Sequence, residues 1–263
     1  MTVPPANAPP ATTDAVATDA SEERAGWNVL HLFCRVPFLD RAAQGSSPYK
    51  DTWKATEVRV LSAIDTVRKD DHQVVSVAIT GHKADICFLV LGPDMSVQRR
   101  FQTAVQRAGL QVCDSYVSLT EVSEYAAQLP DEMKQARLYP VLPPQAMSAF
   151  RFYPMSKRRA PGAENWYMLG YDERLDLMQR HGLVGRRFRG RVLQLVTGST
   201  GIDNHEWGVT LFGRNFGDLK DCVYEMRFDE GSARYADFGE FYAGTVGEPE
   251  AVLRAVGGAP PQQ

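Results

Sequence analysis

The sequence comprises 263 residues, of which 44% are hydrophobic and 23% charged, and its formal net charge at pH 7 is −3. This composition is typical of a soluble globular protein, and a chain of this length can bury about three quarters of its unfolded surface in one or two domains. The slight acidity argues against a general nucleic-acid-binding protein, and no apolar run approaches the roughly 18 residues that span a bilayer.

Both ends of the chain differ in composition from its middle. Residues 1–25 are rich in Pro, Ala, Thr and acidic side chains, without the basic start and apolar middle of a secretory signal. We predict a disordered tail there, and a shorter tail at 251–263. We expect buried free thiols in the reducing cytosol and no disulfide framework, since Cys34, Cys87 and Cys113 lie in apolar, strand-like runs and the four cysteines, Cys222 included, form no CxxC pair.

The first half of the middle region predicts the order βαββαβ. Alternating apolar residues indicate strands and a 3.6-residue period indicates helices, while Gly81 to Lys83 is typical of a hairpin turn. Ser96 is the predicted N-cap of the second helix, which ends at Gly109. The predicted elements are a strand at Trp27–Val36, a helix at Asp51–Arg68, strands at Gln73–Thr80 and Ala84–Leu91, a helix at Ser96–Ala108 and a strand at Gln111–Leu119.

The second half repeats this order. The predicted elements are a strand at Ala149–Met155, a helix at Tyr171–Arg180, strands at Arg191–Thr197 and Glu206–Phe212, a helix at Asn215–Glu225 and a strand at Arg234–Thr245. Such units are ferredoxin-like folds, here expected at 26–122 and 149–250 with a linker at 123–148. Because the free face of each sheet must be covered, we predict an α+β protein in which the two sheets pack face to face as a dimeric α+β barrel within one chain.

The segment Phe152 to Arg159 begins with apolar and aromatic residues and ends with three cations. This combination suits a ligand with an apolar body and carboxylate edges, such as a porphyrin. Each part also has a simpler interpretation. Tyr153 could be a strand aromatic whose hydroxyl bonds to the backbone, and Lys157, Arg158 and Arg159 could be the solvated end of a strand.

His181 shares the apolar face of its predicted helix with Leu175 and Met178. Two interpretations are open: a helix C-terminal histidine before a Gly182 cap, favoured by the macrodipole, or a proximal heme ligand. The other four histidines form no HxxxH or HxxE pair, so the sequence does not indicate a compact zinc site.

Gln194 lies between Leu193 and Leu195 in an apolar strand. Alternation predicts that it shares the inner face with Val192 and Val196, where a buried amide would need hydrogen-bond partners.

The motifs of the second half are specific as a set: Phe152–Arg159, Asn165–Leu169, Met178–Gly182, Gln194–Ser199, Glu206–Phe212 and Tyr224–Asp229. This set resembles the chlorite dismutase-like family, and within it the coproheme decarboxylases, over about residues 26–250. The resemblance implies a pair of ferredoxin-like units, in agreement with the repeat.

The resemblance also implies roles for individual residues. His181 would be the axial iron ligand and Tyr153 the catalytic tyrosine, oxidised to a radical beside a propionate. Gln194 would lie above the iron, on the distal side, and Met155 against the porphyrin edge. The implied coproheme contacts are Arg137, Tyr116, Ser232 and the run Tyr153, Pro154, Met155, Ser156 and Lys157.

The implied activity is the hydrogen-peroxide-dependent decarboxylation of two propionates of Fe-coproporphyrin III (coproheme) to vinyl groups, which gives heme b in the coproporphyrin-dependent pathway of heme biosynthesis. Coproheme would be both cofactor and substrate. The family suggests a homopentamer and a ferrochelatase that delivers coproheme, and we expect no nucleic-acid or membrane partner. Chlorite dismutases proper have a distal arginine where this chain has Gln194, which argues against chlorite decomposition. A heme-binding protein or chaperone and a heme peroxidase remain alternatives.

Overall fold

The structure is a computed structural model that describes residues 25–37, 47–126, 128–162 and 164–257. The predicted tail at 1–25 lies outside the described residues except for residue 25, and so does the chain after residue 257. Within the described residues, no helix is both long enough and apolar enough to cross a bilayer.

The first unit has the predicted order βαββαβ. Its elements are β1 (Ala25–Arg35), α1 (Ser47–Lys69), β2 (Gln73–Ile79), β3 (Ile86–Gly92), α2 (Met95–Ala108) and β4 (Gln111–Glu121). Helix α2 ends as predicted at Gly109, which has a left-handed φ of 109°. The predicted N-cap is wrong. The cap is Asp94, because its carboxylate accepts a hydrogen bond from the Ser96 N–H at 2.7 Å.

The connection between the units is structured. It contains a 3-10 turn at Glu124–Ala126 and helix α3 (Asp131–Leu138). Helix α3 packs beside β1 and β4, and the Thr120 hydroxyl donates a hydrogen bond to the Leu138 carbonyl at 2.7 Å. Arg137 is therefore carried by a helix at the edge of the first unit.

The second unit follows the prediction with three differences. Its elements are β5 (Ala149–Lys157), a 3-10 turn at Trp166–Met168, α4 (Tyr171–Arg186), β6 (Val192–Gly198), β7 (Trp207–Gly213), α5 (Phe216–Met226), α6 (Glu230–Ala233), β8 (Ala236–Phe238), β9 (Tyr242–Gly247) and α7 (Pro249–Val256). The predicted end of α4 before Gly182 is wrong, because a glycine costs a helix only about 1 kcal/mol and does not end it.

The other two differences concern the end of the chain. The strand predicted at 234–245 is two strands, β8 and β9, which both pair with β5 at different positions. The tail predicted from residue 251 is also wrong at its start, because α7 extends to Val256. Val252 and Leu253 of α7 are buried in the helix-covered core of the first unit.

The strands close into one barrel. The first sheet has the order β4-β1-β3-β2 and the second the equivalent order β9-β5-β7-β6. Antiparallel pairings of β2 with β9 and of β4 with β6 join the two sheets, so their edges are not left open. The predicted pair of ferredoxin-like units in an α+β barrel is confirmed.

The two sheets differ in how their outer faces are covered. A large cluster that includes residues of α1, α2 and α7 covers the first sheet, whereas the outer face of the second carries smaller clusters. The second strands of the two units show the difference. On β2, Val74 and Ser76 are 5% and 2% exposed, whereas on β6 Val196 is 40% exposed and Gln194 is exposed as well. A strip of the second sheet along β6 is therefore open.

Candidate functional site

Strand alternation brings several predicted site residues to the outer face of the second sheet. Tyr153, Met155 and Lys157 share the outer face of β5, and Gln194 lies on the outer face of β6, with β7 between the two strands. Tyr153 pairs with Val209 across the sheet, and both pack in the same outer cluster.

His181 is held by a carboxylate. Its Nδ1 lies 2.9 Å from Asp229 Oδ2 and 3.4 Å from the Ser232 hydroxyl. Since α4 continues to Arg186, His181 is not at the end of a helix, and the interpretation as a helix-terminal histidine is wrong. Because Asp229 engages Nδ1, the Nε2 atom is the one left to bind a ligand or metal.

Asp229 is fixed in turn by the fold. It is the N-cap of α6, and its Oδ2 accepts a hydrogen bond from the Ser232 N–H at 3.2 Å. Burial acts to raise the pKa of its carboxyl, but the hydrogen bonds from His181 and the Ser232 N–H and the charges of His181 and Lys157 together hold the pKa below its ordinary value. Asp229 therefore stays ionised behind His181.

Lys157 lies inside the protein, so the interpretation of its side chain as a solvated strand end is wrong. Its Nζ donates a hydrogen bond to the Gly231 carbonyl at 2.9 Å and lies 4.1 Å from the Trp166 ring centroid. Burial lowers the pKa of Lys157 to about 8, against the opposing effect of Asp229 and Glu206. Lys157 thus supports the turn that carries Asp229.

Tyr153 is surrounded by aromatic rings and cations. It is 7% exposed, stacks on Phe241 at 4.5 Å and meets the edge of Phe238 at 5.6 Å. Burial raises the pKa of its hydroxyl, and the charges of Arg151 and Arg227 oppose this. Within the described residues the hydroxyl makes no hydrogen bond, so the interpretation of Tyr153 as a backbone-bonded aromatic is wrong.

Gln194 is exposed, and its predicted burial is wrong. It does share a face with Val192 and Val196, but that face is the outer one, since Leu195 packs in the barrel interior. An exposed amide beside Val196 needs no internal partner and is available to a ligand lying on the open strip.

Other predicted contacts lie elsewhere in the structure. Tyr116 is buried in the barrel interior and donates a hydrogen bond to the His205 carbonyl at 3.0 Å. Pro154 and Ser156 point to the face of β5 opposite Tyr153. Arg137 is exposed on α3, and Ser232 lies on the Nδ1 side of His181. The roles of these five residues as coproheme contacts therefore stay predictions.

Two residues of the site were not predicted. Asp229 is 48 positions from His181 in the chain, and no spacing rule connects them. The Arg227 guanidinium lies 4.9 Å from the centroid of the Phe238 ring, which contacts Tyr153. The one signal in the sequence that could have indicated a structural role for Asp229 is its position three residues before Ser232, as expected of a helix N-cap.

These residues fit a metalloporphyrin better than a bare ion. Within the described ranges, no group of three or more His, Cys, Asp or Glu side chains could hold a metal ion. A metal bound through His181 would need most of its ligands from elsewhere, as a porphyrin provides. The open strip offers apolar surface at Val196, and Met155 is partly exposed on the same outer face of the sheet. The cations near Tyr153 suit carboxylate edges.

Comparison with known proteins agrees with the fold described above. The chlorite dismutase family matches residues 54–247. A coproheme decarboxylase of Staphylococcus carnosus is 41% identical over 246 residues, which cover 87% of this chain and 95% of the relative.

Solved structures show the same fold. A heme-binding protein of Thermus thermophilus has a TM-score of 0.78 at 36% identity, with 89% of this chain and 96% of that chain covered. A mutant chlorite dismutase of Candidatus Nitrospira defluvii has a TM-score of 0.71 at 18% identity, with the same coverage of 89% and 96%.

Proposed function

This chain belongs to the chlorite dismutase family, and from that premise we propose that it is a coproheme decarboxylase. It would bind Fe-coproporphyrin III and convert two propionates to vinyl groups with hydrogen peroxide, giving heme b. The observation that carries the proposal is that the second unit contains both a carboxylate-held histidine and a buried phenol without a hydrogen-bond partner within the described residues. The similarity to the Staphylococcus carnosus enzyme supports the substrate.

In this proposal His181 binds the iron of the substrate through Nε2, and Asp229 keeps the ring oriented through Nδ1. When bound, the iron porphyrin supplies peroxide-driven one-electron oxidation. Tyr153 gives up an electron and its proton, and the resulting phenoxyl takes a hydrogen atom from the neighbouring propionate. Each propionic acid loses carbon dioxide and two electrons in all, and one peroxide is reduced to two waters.

The charges around Tyr153 favour a carboxylate there. Arg151 and Arg227 both lie close enough to act on the pKa of Tyr153, and Arg227 is exposed. A guanidinium binds a carboxylate by charge-assisted hydrogen bonds, which would fix a propionate beside the phenol. Gln194 adds no charge on the distal side, so an anionic oxidant such as chlorite would not be held by it.

The test is a matched pair of tyrosine variants. Tyr153→Phe keeps the ring but removes the oxidisable hydroxyl, whereas Tyr224→Phe makes the same change at an exposed position of α5. Each protein is mixed with ferric coproporphyrin III, titrated with peroxide and followed by product mass. We expect stepwise loss of two carboxyl groups from the wild type and Tyr224→Phe, and binding without mass loss from Tyr153→Phe. Heme b formation by Tyr153→Phe at the wild-type rate would refute the proposal.

The same assay separates the alternatives. No mass loss by the wild-type protein would identify a heme-binding protein, and oxidation of an added dye alone would identify a peroxidase. We further propose a cytoplasmic homopentamer that receives coproheme from a ferrochelatase. The free state of all four cysteines supports the compartment, and sedimentation of the purified protein tests the assembly.

A further inference from the structure

A second tyrosine, Tyr242, forms a phenol–carboxylate pair at the rim of the barrel. Tyr242 is 4% exposed, and its hydroxyl donates a hydrogen bond to Asp114 Oδ2, on an exposed residue of β4. Its ring stacks on Phe33 at 3.8 Å. The phenol is thus buried, while its proton acceptor reaches solvent.

Tyr242 is connected to Tyr153 by a short route through the sheet. Tyr242 pairs directly with Phe152, the chain neighbour of Tyr153, in the register of β9 with β5. On the other side, Phe241 stacks on Tyr153 at 4.5 Å and is the chain neighbour of Tyr242. One ring contact and one peptide unit therefore separate the two phenols, which lie on opposite faces of the sheet.

The two phenols differ in what can accept a proton. Oxidation of a phenol makes its hydroxyl strongly acidic, so a hydrogen-bonded base favours the loss of the electron. Tyr242 has such a base in Asp114, and Tyr153 has none within the described residues. The Lys83 ammonium, 5.4 Å from the Tyr242 ring centroid, opposes oxidation, but it is paired with Glu240 at 3.5 Å. Asp114 accepts the phenol proton directly, whereas Lys83 acts on the ring only through space.

We propose that Tyr242 is a second redox-active tyrosine, which reduces oxidised Tyr153 when no propionate is in place. The proposal rests on the oxidation of Tyr153 by peroxide in the proposed function. One electron passes from Tyr242 to the Tyr153 phenoxyl, and the Tyr242 proton moves to Asp114. Tyr153 takes back from water the proton that it released when it was oxidised and becomes a phenol again. The oxidising equivalent then lies at the rim, where an external thiol can reduce it.

Tyr116 provides a control inside the same barrel. It is also buried, at 3% exposure, and lies 5.4 Å from Phe152. However, its hydroxyl donates to the backbone carbonyl of His205, which cannot take up a proton at neutral pH. Proximity alone would make Tyr116 a candidate, whereas the chemistry of the acceptor favours Tyr242.

The experiment is freeze-quench electron paramagnetic resonance on protein loaded with heme b, which lacks the two reactive propionates, after one equivalent of hydrogen peroxide. We expect a tyrosyl signal in the wild type, at least a fivefold loss in Tyr242→Phe, a similar loss in Asp114→Asn, and no change in Tyr116→Phe. An unchanged signal in both Tyr242→Phe and Asp114→Asn would overturn the inference.

A second measurement separates this inference from the proposed function. With coproheme and two equivalents of peroxide, we expect Tyr242→Phe to give the wild-type yield of heme b, whereas Tyr153→Phe gives none. If Tyr153→Phe abolishes decarboxylation while Tyr242→Phe leaves the radical unchanged, only the inference fails. If Tyr153→Phe still decarboxylates, the proposed function itself fails.

Discussion

Replacement of Asp229 by asparagine tests how much the support of His181 contributes to ligand binding. The Asp229 side chain is 4% exposed and its Oδ2 lies 2.9 Å from His181 Nδ1, so water does not screen the interaction. Asparagine keeps the size of the side chain and is an equally good N-cap, so the bond that begins α6 can persist. The variant thus removes the negative charge and leaves the fold intact.

The expected loss follows from the geometry. Removing a carboxylate that orients a metal-binding histidine costs roughly 10–100-fold in affinity, or about 1.4–2.7 kcal/mol. A change in the protonation of Lys157 should lower the affinity further. Lys157 depends on Asp229 to offset its burial, so its pKa falls below about 8 in the variant. The buried ammonium that supports the turn is then more easily lost.

Absorbance titration with ferric coproporphyrin III gives the dissociation constant of each protein. Glu230→Gln is the matched control, because Glu230 is the next residue but pairs at the surface with Arg180 and Arg234. We expect the control to bind within twofold of the wild type. Wild-type affinity in Asp229→Asn, with an unchanged circular dichroism spectrum, would show that Asp229 does not support His181 in the proposed role of iron ligand.

Two further predictions concern stability. Burial lowers the pKa of His31 from 6.5 to about 3, so the unfolded chain takes up this proton first as the pH falls. The free energy of unfolding should therefore fall as the pH drops from 6.5 towards about 3, by about 2.7 kcal/mol at a pH of about 4.5. Denaturant melts of His31→Gln should show a smaller fall than those of the wild type. Leu253→Ala should lower the free energy of unfolding by about 2–5 kcal/mol, because Leu253 of α7 is 1% exposed. Wild-type stability would mean that α7 does not contribute to the core.

The sequence could predict the order of elements because each half alternates strand and helix periodicity between clear turn residues. It could not decide which face of β6 is inner, since a barrel with helices outside needs apolar residues on both faces of its strands. Leu195 and Val196 are equally apolar, yet they lie on opposite faces. The sequence could not predict the contact of His181 with Asp229 either, because these residues are far apart in the chain and meet only through the packing of α4 against α6.

The open strip over β6 results from how the helix that follows each unit packs, which is α3 after the first unit and α7 after the second. After β9, α7 packs against β2 and β3, and Val252 joins Val74 in the core of the first unit. After β4, the equivalent helix α3 packs beside β1 and β4 instead. The outer face of β6 consequently carries an exposed amide at Gln194 and a half-exposed Val196, where its counterpart β2 is covered. A duplicated fold thus leaves part of one sheet face open because a single helix differs in its docking.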